Sequence, residues 1–376
     1  MPEDITFTLA AGTNLMMLST VQIAGHLAAS GTVTESVLWQ TVPGGSGSAF
    51  SVVVMPTGTA VISRTVIKGS PVFGIAVVGE SDKLVVIENS TLQDMGDFPM
   101  LIEPASLHRV QMNNVTFLNN AINQVLIDTS SGIDAIAKDA VLTAQPGLDY
   151  YHVADAQTFP IAPATFVVPT GVTLTVESGV EMRFGQDAET FVVNGRLQAI
   201  GTPTQPITFT SVNEITLGEW RGLQVNGGSA ELTYVEIRNG DNNLVVSGSG
   251  TAQLGNTTLR EAAFAGLVVD DGSVTAVCTT FTDNTTDGIV VENNGTPSLL
   301  ASSSNFSGNG SNGLNNLSGV MMDARNSWWG DATGPGGIGA GSGQSIQGNV
   351  LFSPWFTEET CTTMPYRLYL PSIVTP

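Results

Sequence analysis

Apolar residues recur along this chain in short runs, and the runs return at a long, nearly fixed interval. Ile67, Leu92 and Phe117 are 25 residues apart, and Ile237, Leu259 and Phe281 are 22 apart. Phe306 follows after 25 and Trp329 after a further 23. A second apolar cluster keeps step: Val53, Val77, Leu101 and Leu126, then Val225, Val246, Val269 and Val291. No long amphipathic helix pattern competes with these runs. A period of 21 to 25 with two or three short strands in each repeat predicts a solenoid. One coil cannot bury its own apolar side chains, but stacked coils bury a continuous column. Roughly 15 coils at about 4.8 Å per strand would make a rod of about 70 Å.

A longer repeat contains the short one. "GHLAASGTVTESVLWQTV", from Gly25, matches "GRLQAIGTPTQPITFTSV", from Gly195, without a gap. "NSTLQD" at Asn89 answers "NTTLRE" at Asn256, and "VTFLNN" at Val115 answers "TTFTDN" at Thr279. The expected organisation is a first block over 1–128, connecting coils over 129–163, a second block over 164–330 and a C-terminal cap, Gly-rich loop and tail over 331–376. The Pro residues of the connecting segment suggest a kink or a lateral extension.

With the Ile/Leu/Phe position as zero, further columns can be read. Minus three holds Asn89, Asn114, Asn256, Cys278, Ser303 and Asn326, a turn column in which stacked amides bond from coil to coil and tolerate left-handed backbone. Minus one holds Thr91, Thr116, Thr258, Thr280, Asn305 and Trp328, which should face solvent. Minus five and minus seven, as at Ile87 and Val85, should face inward.

"GVTLTVESGVEMRFG", "VNGRLQAIGTPTQPITFTS", "AELTYVEIRNG" and "NSWWGDATGPGG" resemble bacterial secreted proteins of the right-handed parallel β-helix repeat family, within the pectate-lyase-like superfamily. The resemblance covers nearly the whole chain and implies an all-β, right-handed parallel β-helix. It leaves activity open, because this fold carries adhesins, lyases, hydrolases and passive surface proteins alike. It also implies that "NSWWGDATGPGG", the Gly-rich loop after it and "NVLFSPWF" close the C-terminal end of the helix. Trp329 falls in the column of Phe281 and Phe306 and reads as core. Trp328 falls in the outward column and, with Trp355, could instead offer a sugar-stacking surface. The tail "CTTMPYRLYLPSIVTP" reads as an extended strand or as a sorting signal.

Composition narrows the function classes. Charged residues are only 12% and the formal net charge is -21, which disfavours nucleic acid and anionic membrane surfaces as partners. No apolar run is long enough to span a membrane, and "MPEDITFT" does not read as a signal peptide; the strand-like start suggests a fragment with a starter Met. Two cysteines make neither a disulfide framework nor a zinc pattern. Cys278 lies two coils, roughly 10 Å, before the tryptophan pair, so a tail running back along the turn edge would bring Cys361 within bonding range. The competing reading is a small apolar filler in a turn.

Two acidic columns are candidate metal sites: Glu103, Asp128, Asp270 and Glu292 at plus eleven, and Asp94, Glu261, Asp283 and Asp331 at plus two. Adjacent coils would set Asp270 beside Glu292 and Glu261 beside Asp283 at about 5 Å, a repulsion that Ca²⁺ would relieve. The plainer reading is a solvated turn, with no cofactor. A lyase on this fold would need Ca²⁺ carboxylates and a basic group; Arg238 and Arg260 are candidate partners, but no dense Asp cluster with flanking Lys or Arg accompanies them. His26, His108 and His152 are scattered over different coils. No catalytic constellation stands out. The expected function is a secreted or cell-surface structural or adhesion module, its partners cell-surface glycans or proteins, with Trp328, Trp355, Thr258 and Thr280 as candidate ligand-binding residues. The alternative is a polysaccharide lyase or glycoside hydrolase using the acidic columns. An Asp/Arg-lined groove would favour the enzyme, and a smooth Thr/Asn-covered side the surface module.

Overall fold

The computed structural model describes residues 1–42, 51–132, 134–155, 165–185 and 189–361. The chain is a parallel β-solenoid with coils of roughly 25 residues. Among the described residues all strand pairings within the sheets are parallel, and all but that of Pro335–Gly337 with Gly343–Gln347 join one coil to the next. The apolar column set at zero is in register as the spacing predicts: Ile67 opposite Leu92 opposite Phe117, and Ile237, Leu259, Phe281 and Phe306 likewise. All are buried, and so are Ile87 and Val85. The longest sheet stacks twelve strands, from Val21–Ile23 to Asn305–Ser307, which makes the rod nearer 55 Å than 70 Å.

The second apolar column is corrected in the first block. The observed rank is Val53, Ala76, Leu101 and Leu126, and it lies on the outer side of the long sheet. The inward residues are its neighbours Val54, Val77, Ile102 and Ile127, all close to fully buried. Runs such as "VVV" and "MLI" are apolar on both faces, so alternation gives no sign of which face is core. In the second block Val225, Val246, Val269 and Val291 do point inward.

Only the long sheet runs through both blocks. Two five-stranded sheets flank it over the first block and two nine-stranded sheets over the second. The column of Leu92 and Phe117 belongs to a flanking sheet, whereas its repeat equivalent, Leu259 and Phe281, belongs to the long sheet. The second copy is therefore set one face further round the coil than the first. The change occurs between Gln124–Asp128 and Tyr150–Ala154, where a coil carries a single flanking strand, Ala140–Leu142. Here the backbone around Pro146 closes the last strand of the first block. Phe117 N–H donates to Pro146 O at 2.8 Å and Val115 N–H to Gln145 Oε1 at 2.9 Å. Proline has no N–H with which to continue a ladder, so the flanking sheet stops. Gly147, at φ 75°, lies so close to Phe117 O that a Cβ would sit 2.1 Å away.

The turn column at minus three has left-handed backbone throughout: Asn89, Asn114, Asn256, Cys278, Ser303 and Asn326 all have φ between 48° and 56°. Asn114 Nδ2 donates to Asn89 Oδ1 at 3.0 Å, a coil-to-coil amide bond. A buried clamp was not legible in the repeat. Arg109 is fully buried, and its guanidinium donates to the carbonyls of Lys83, Val78, Gly79, Met55 and Gly58.

At the C-terminal end Trp329 is fully buried and Trp328 half-exposed. The Gly-rich segment is more regular than a loop. Pro335–Gly337 and Gly343–Gln347 are short strands that extend a flanking sheet beyond Asn312–Asn316. The last strand is brief, Val350–Leu351. Residues 362–376, with most of the tail, lie outside the described residues, as do residues 156–164 of the connecting segment.

Candidate functional site

The outer side of the long sheet carries two ranks of side chains set by strand register. One runs Gln124, Tyr150, Glu181, Thr208, Glu236, Thr258, Thr280 and Asn305. The other passes through Leu126, His152, Arg183, Thr210, Arg238, Arg260, Thr282 and Ser307. Along the rod the surface changes from apolar and aromatic, to ionic, to hydroxyl.

The ionic stretch is a ladder of alternating charges. Arg183 bonds Glu181 at 2.6 Å and Glu214 at 2.5 Å. Arg238 reaches Glu214 at 3.0 Å and Glu236 at 3.1 Å. Arg260 takes Glu236 at 2.7 Å and also contacts Glu261. Arg238 is 4% exposed, so its charge depends on those carboxylates for compensation. The neighbouring acids hold Arg183 above its ordinary range against the opposing effect of burial.

The hydroxyl stretch is shielded. Thr258 and Thr280 alternate with the inward Leu259 and Phe281, as the sequence suggests, yet they are only 6% and 4% exposed. Their expected exposure to solvent is corrected. Flat ranks of β-branched side chains screen one another, and Asn305 covers Thr280, donating to its Oγ1 at 3.4 Å. Asn305 is gripped in turn by the arriving tail. Its Nδ2 donates to Thr360 O at 2.6 Å, and Thr360 N–H donates back at 3.1 Å. The next residue, Cys361, forms a disulfide with Cys278, Cα to Cα 5.2 Å, across 83 residues of chain. Trp328 stays half-exposed at the end of this rank, paired to Asn305. Trp355 packs elsewhere: its ring lies against Gly334 and near Phe352, and its Nε1 donates to Ala332 O at 3.4 Å.

The acidic columns are turn residues engaged with their own surroundings. Asp94, Glu261 and Asp283 have φ of 55° or 56°, so plus two is a second left-handed column. Asp331, exposed, accepts from the N–H and hydroxyl of Thr333. Glu261 contacts Arg260, and Asp283 accepts from Thr282 Oγ1 at 3.0 Å. Asp270 accepts from Asn294 Nδ2 at 2.7 Å, and Glu292 lies on the next coil, its N–H bonded to Val269 O. Among the described residues no three His, Cys, Asp or Glu side chains converge as a metal site. One position on, at plus three, lies a buried amide ladder not read from the sequence. Asn284 Nδ2 donates to Asn309 Oδ1 at 2.9 Å and to Leu259 O, and Asn309 Nδ2 to Phe281 O.

The three histidines do not come together. His26 Nδ1 bonds Thr59 Oγ1 at 2.5 Å, and His108 Nε2 bonds Ser81 O at 2.7 Å. His152 helps form a groove of about 490 Å³ where the two blocks join, together with Phe98, Asn123, Gln124, Asp149 and Tyr150. The His152 ring lies 5.8 Å from that of Phe98 and 6.1 Å from that of Tyr150. Burial, aided by the charge of Arg183, lowers its pKa to about 4, so the ring is neutral at neutral pH. Arg183 sits over the Tyr150 ring, 4.2 Å from its centroid, and fixes its orientation. Burial raises the Asp149 carboxyl while Arg183 partly offsets the effect. The groove escaped sequence reasoning because its residues come from three coils and belong to no repeated column.

No family model, curated protein or solved structure matches the chain. Among the described residues no helix is long and apolar enough to cross a membrane.

Proposed function

We propose that the chain is a secreted or cell-surface module that binds through its sides without catalysis, its partners being glycans or surface proteins. The observation that carries this reading is the ionic ladder. Arg183, Arg238 and Arg260, the arginines on the outer side of the long sheet, are each paired with carboxylates on successive coils. Ion pairs of this kind engage the guanidinium donors with carboxylates of the chain itself. In the two acidic columns, Asp94, Glu261 and Asp283 hold left-handed turns, Asp283 and Asp270 accept from a hydroxyl and an amide, and Glu103 accepts from a backbone N–H. The disulfide supports placement in an oxidising compartment. The resemblance to secreted bacterial β-helix proteins points the same way. A glycan array run beside reducing-end and unsaturated-uronide assays tests the reading: binding with no new chain ends is expected, and cleavage of any arrayed polysaccharide would replace it with the lyase or hydrolase alternative.

A further inference from the structure

We infer that the groove at the junction of the two blocks, built by Phe98, Asn123, Gln124, Asp149, Tyr150 and His152, is a binding site for a neutral glycan chain. The inference rests on the surface-module reading and gives it a location and a ligand class.

Three features carry it. First, the groove is lined by three rings, His152 tilted 54° to Phe98 and 62° to Tyr150, together with amide and carboxylate groups, the pairing a pyranose needs: apolar C–H faces against rings, hydroxyls to polar side chains. Its volume of about 490 Å³ falls in the usual span of ligand clefts, roughly 300–1,000 Å³. Second, the polar groups are available. The side chains of Gln124 and Asp149 take no hydrogen bond among the described residues, and the Asn123 amide accepts from Asn120 while its own donors remain for a ligand. Third, the Tyr150 ring is held in place before any ligand arrives, because Arg183 packs over it and is itself fixed by Glu181 and Glu214. Preorganisation of this kind lowers the entropic cost of binding.

The junction also explains why the groove occurs where it does. Phe98 and Asn123 are on coils of the first block, and Tyr150 and His152 on the strand where the face shift takes place. Beyond the groove towards the C-terminal end, the equivalent positions on the outer side of the long sheet are filled by the ionic ladder and then by packed threonines, and towards the N-terminal end by aliphatic side chains such as Val53 and Leu101.

Charge selects among glycans. The Arg183 cation is neutralised by two carboxylates, Asp149 stands at the margin, and the chain as a whole carries a formal charge of -21. Uronate polymers are repelled by such a surface and neutral chains are not.

The test is calorimetric titration of the full chain with cellohexaose, mannohexaose, chitohexaose and hexagalacturonate, repeated with Phe98→Ala and Gln124→Ala. At least one neutral hexasaccharide should bind, hexagalacturonate should bind at least tenfold more weakly, and each substitution should weaken the neutral ligand at least tenfold. Thermal melting of each variant separates loss of the site from loss of the fold; Gln124→Ala serves if Phe98→Ala unfolds. Binding that persists in both folded variants and is lost with Trp328→Ala overturns this site while leaving the surface-module reading intact. Failure of all three neutral sugars to bind overturns the inference, and preferential binding of hexagalacturonate overturns its ligand class.

Discussion

The rings of Phe306 and Trp329 lie 4.4 Å apart with their planes only 9° from parallel, continuing a stack that begins with Phe281 5.2 Å below Phe306. The second of the two adjacent tryptophans is thus the last large ring of a core column, and the first, bridged to Asn305, looks outward beside it. A one-residue slip would exchange them.

Trp329→Ala should therefore cost about 3–5 kcal/mol, the range for deleting a large buried aromatic. Trp328→Ala should cost less, about 1 kcal/mol, because its ring points outward and stays partly exposed. Chemical denaturation of the two variants side by side checks this ordering, and equal losses would mean that the outward rank is part of the core.

The disulfide closes a loop of 83 residues and ties the arriving tail to the turn column. By the chain-entropy relation this stabilises the fold by about 4.5 kcal/mol. Cys361→Ser should lower the denaturation midpoint accordingly, and a reducing agent should have the same effect on the parent protein and none on the variant. Mass mapping of unreduced peptides should recover the Cys278 and Cys361 fragments joined.

His152 predicts a pH dependence with a definite sign. Its folded pKa, about 4, is depressed below the usual 6.5, so the unfolded chain binds the proton more readily. The stabilisation tied to the neutral ring is fully present above pH 6.5 and is lost as pH falls towards 4. The full shift is worth on the order of 3 kcal/mol. His152→Gln removes the titration while other acid effects remain. The stability of the parent minus that of the variant should fall between pH 7 and pH 4.5 in urea unfolding, and a constant difference would show a ring that protonates freely in the fold.

The coil, the core column and the left-handed turn column were legible because each recurs at the coil period, as Phe117, Phe281 and Asn256 illustrate. Faces were less legible wherever a strand is apolar on both sides: Val53 and Leu101 lie in the outer rank, and Ile102 faces the core. The acidic column at plus two is a spacing that the sequence displays for a reason it does not reveal, namely a second left-handed turn at Asp94, Glu261 and Asp283. What a period cannot carry at all is an arrangement that occurs once. Arg109 gathers carbonyls from Met55 to Lys83, Glu214 enters the ionic ladder from a connecting loop, and the Phe98–His152 groove exists only where the two copies change face.

Binding without cleavage is the centre of this account, and co-sedimentation with an insoluble neutral polysaccharide tests both halves in one sample. The full chain is incubated with amorphous cellulose, mannan and chitin in turn, spun, and the pellet assayed for protein and for polymer length. The account predicts protein in the pellet with at least one polymer, and that polymer unchanged in length after prolonged incubation. Protein that stays in the supernatant with all three, or a polymer that shortens in its presence, would contradict it.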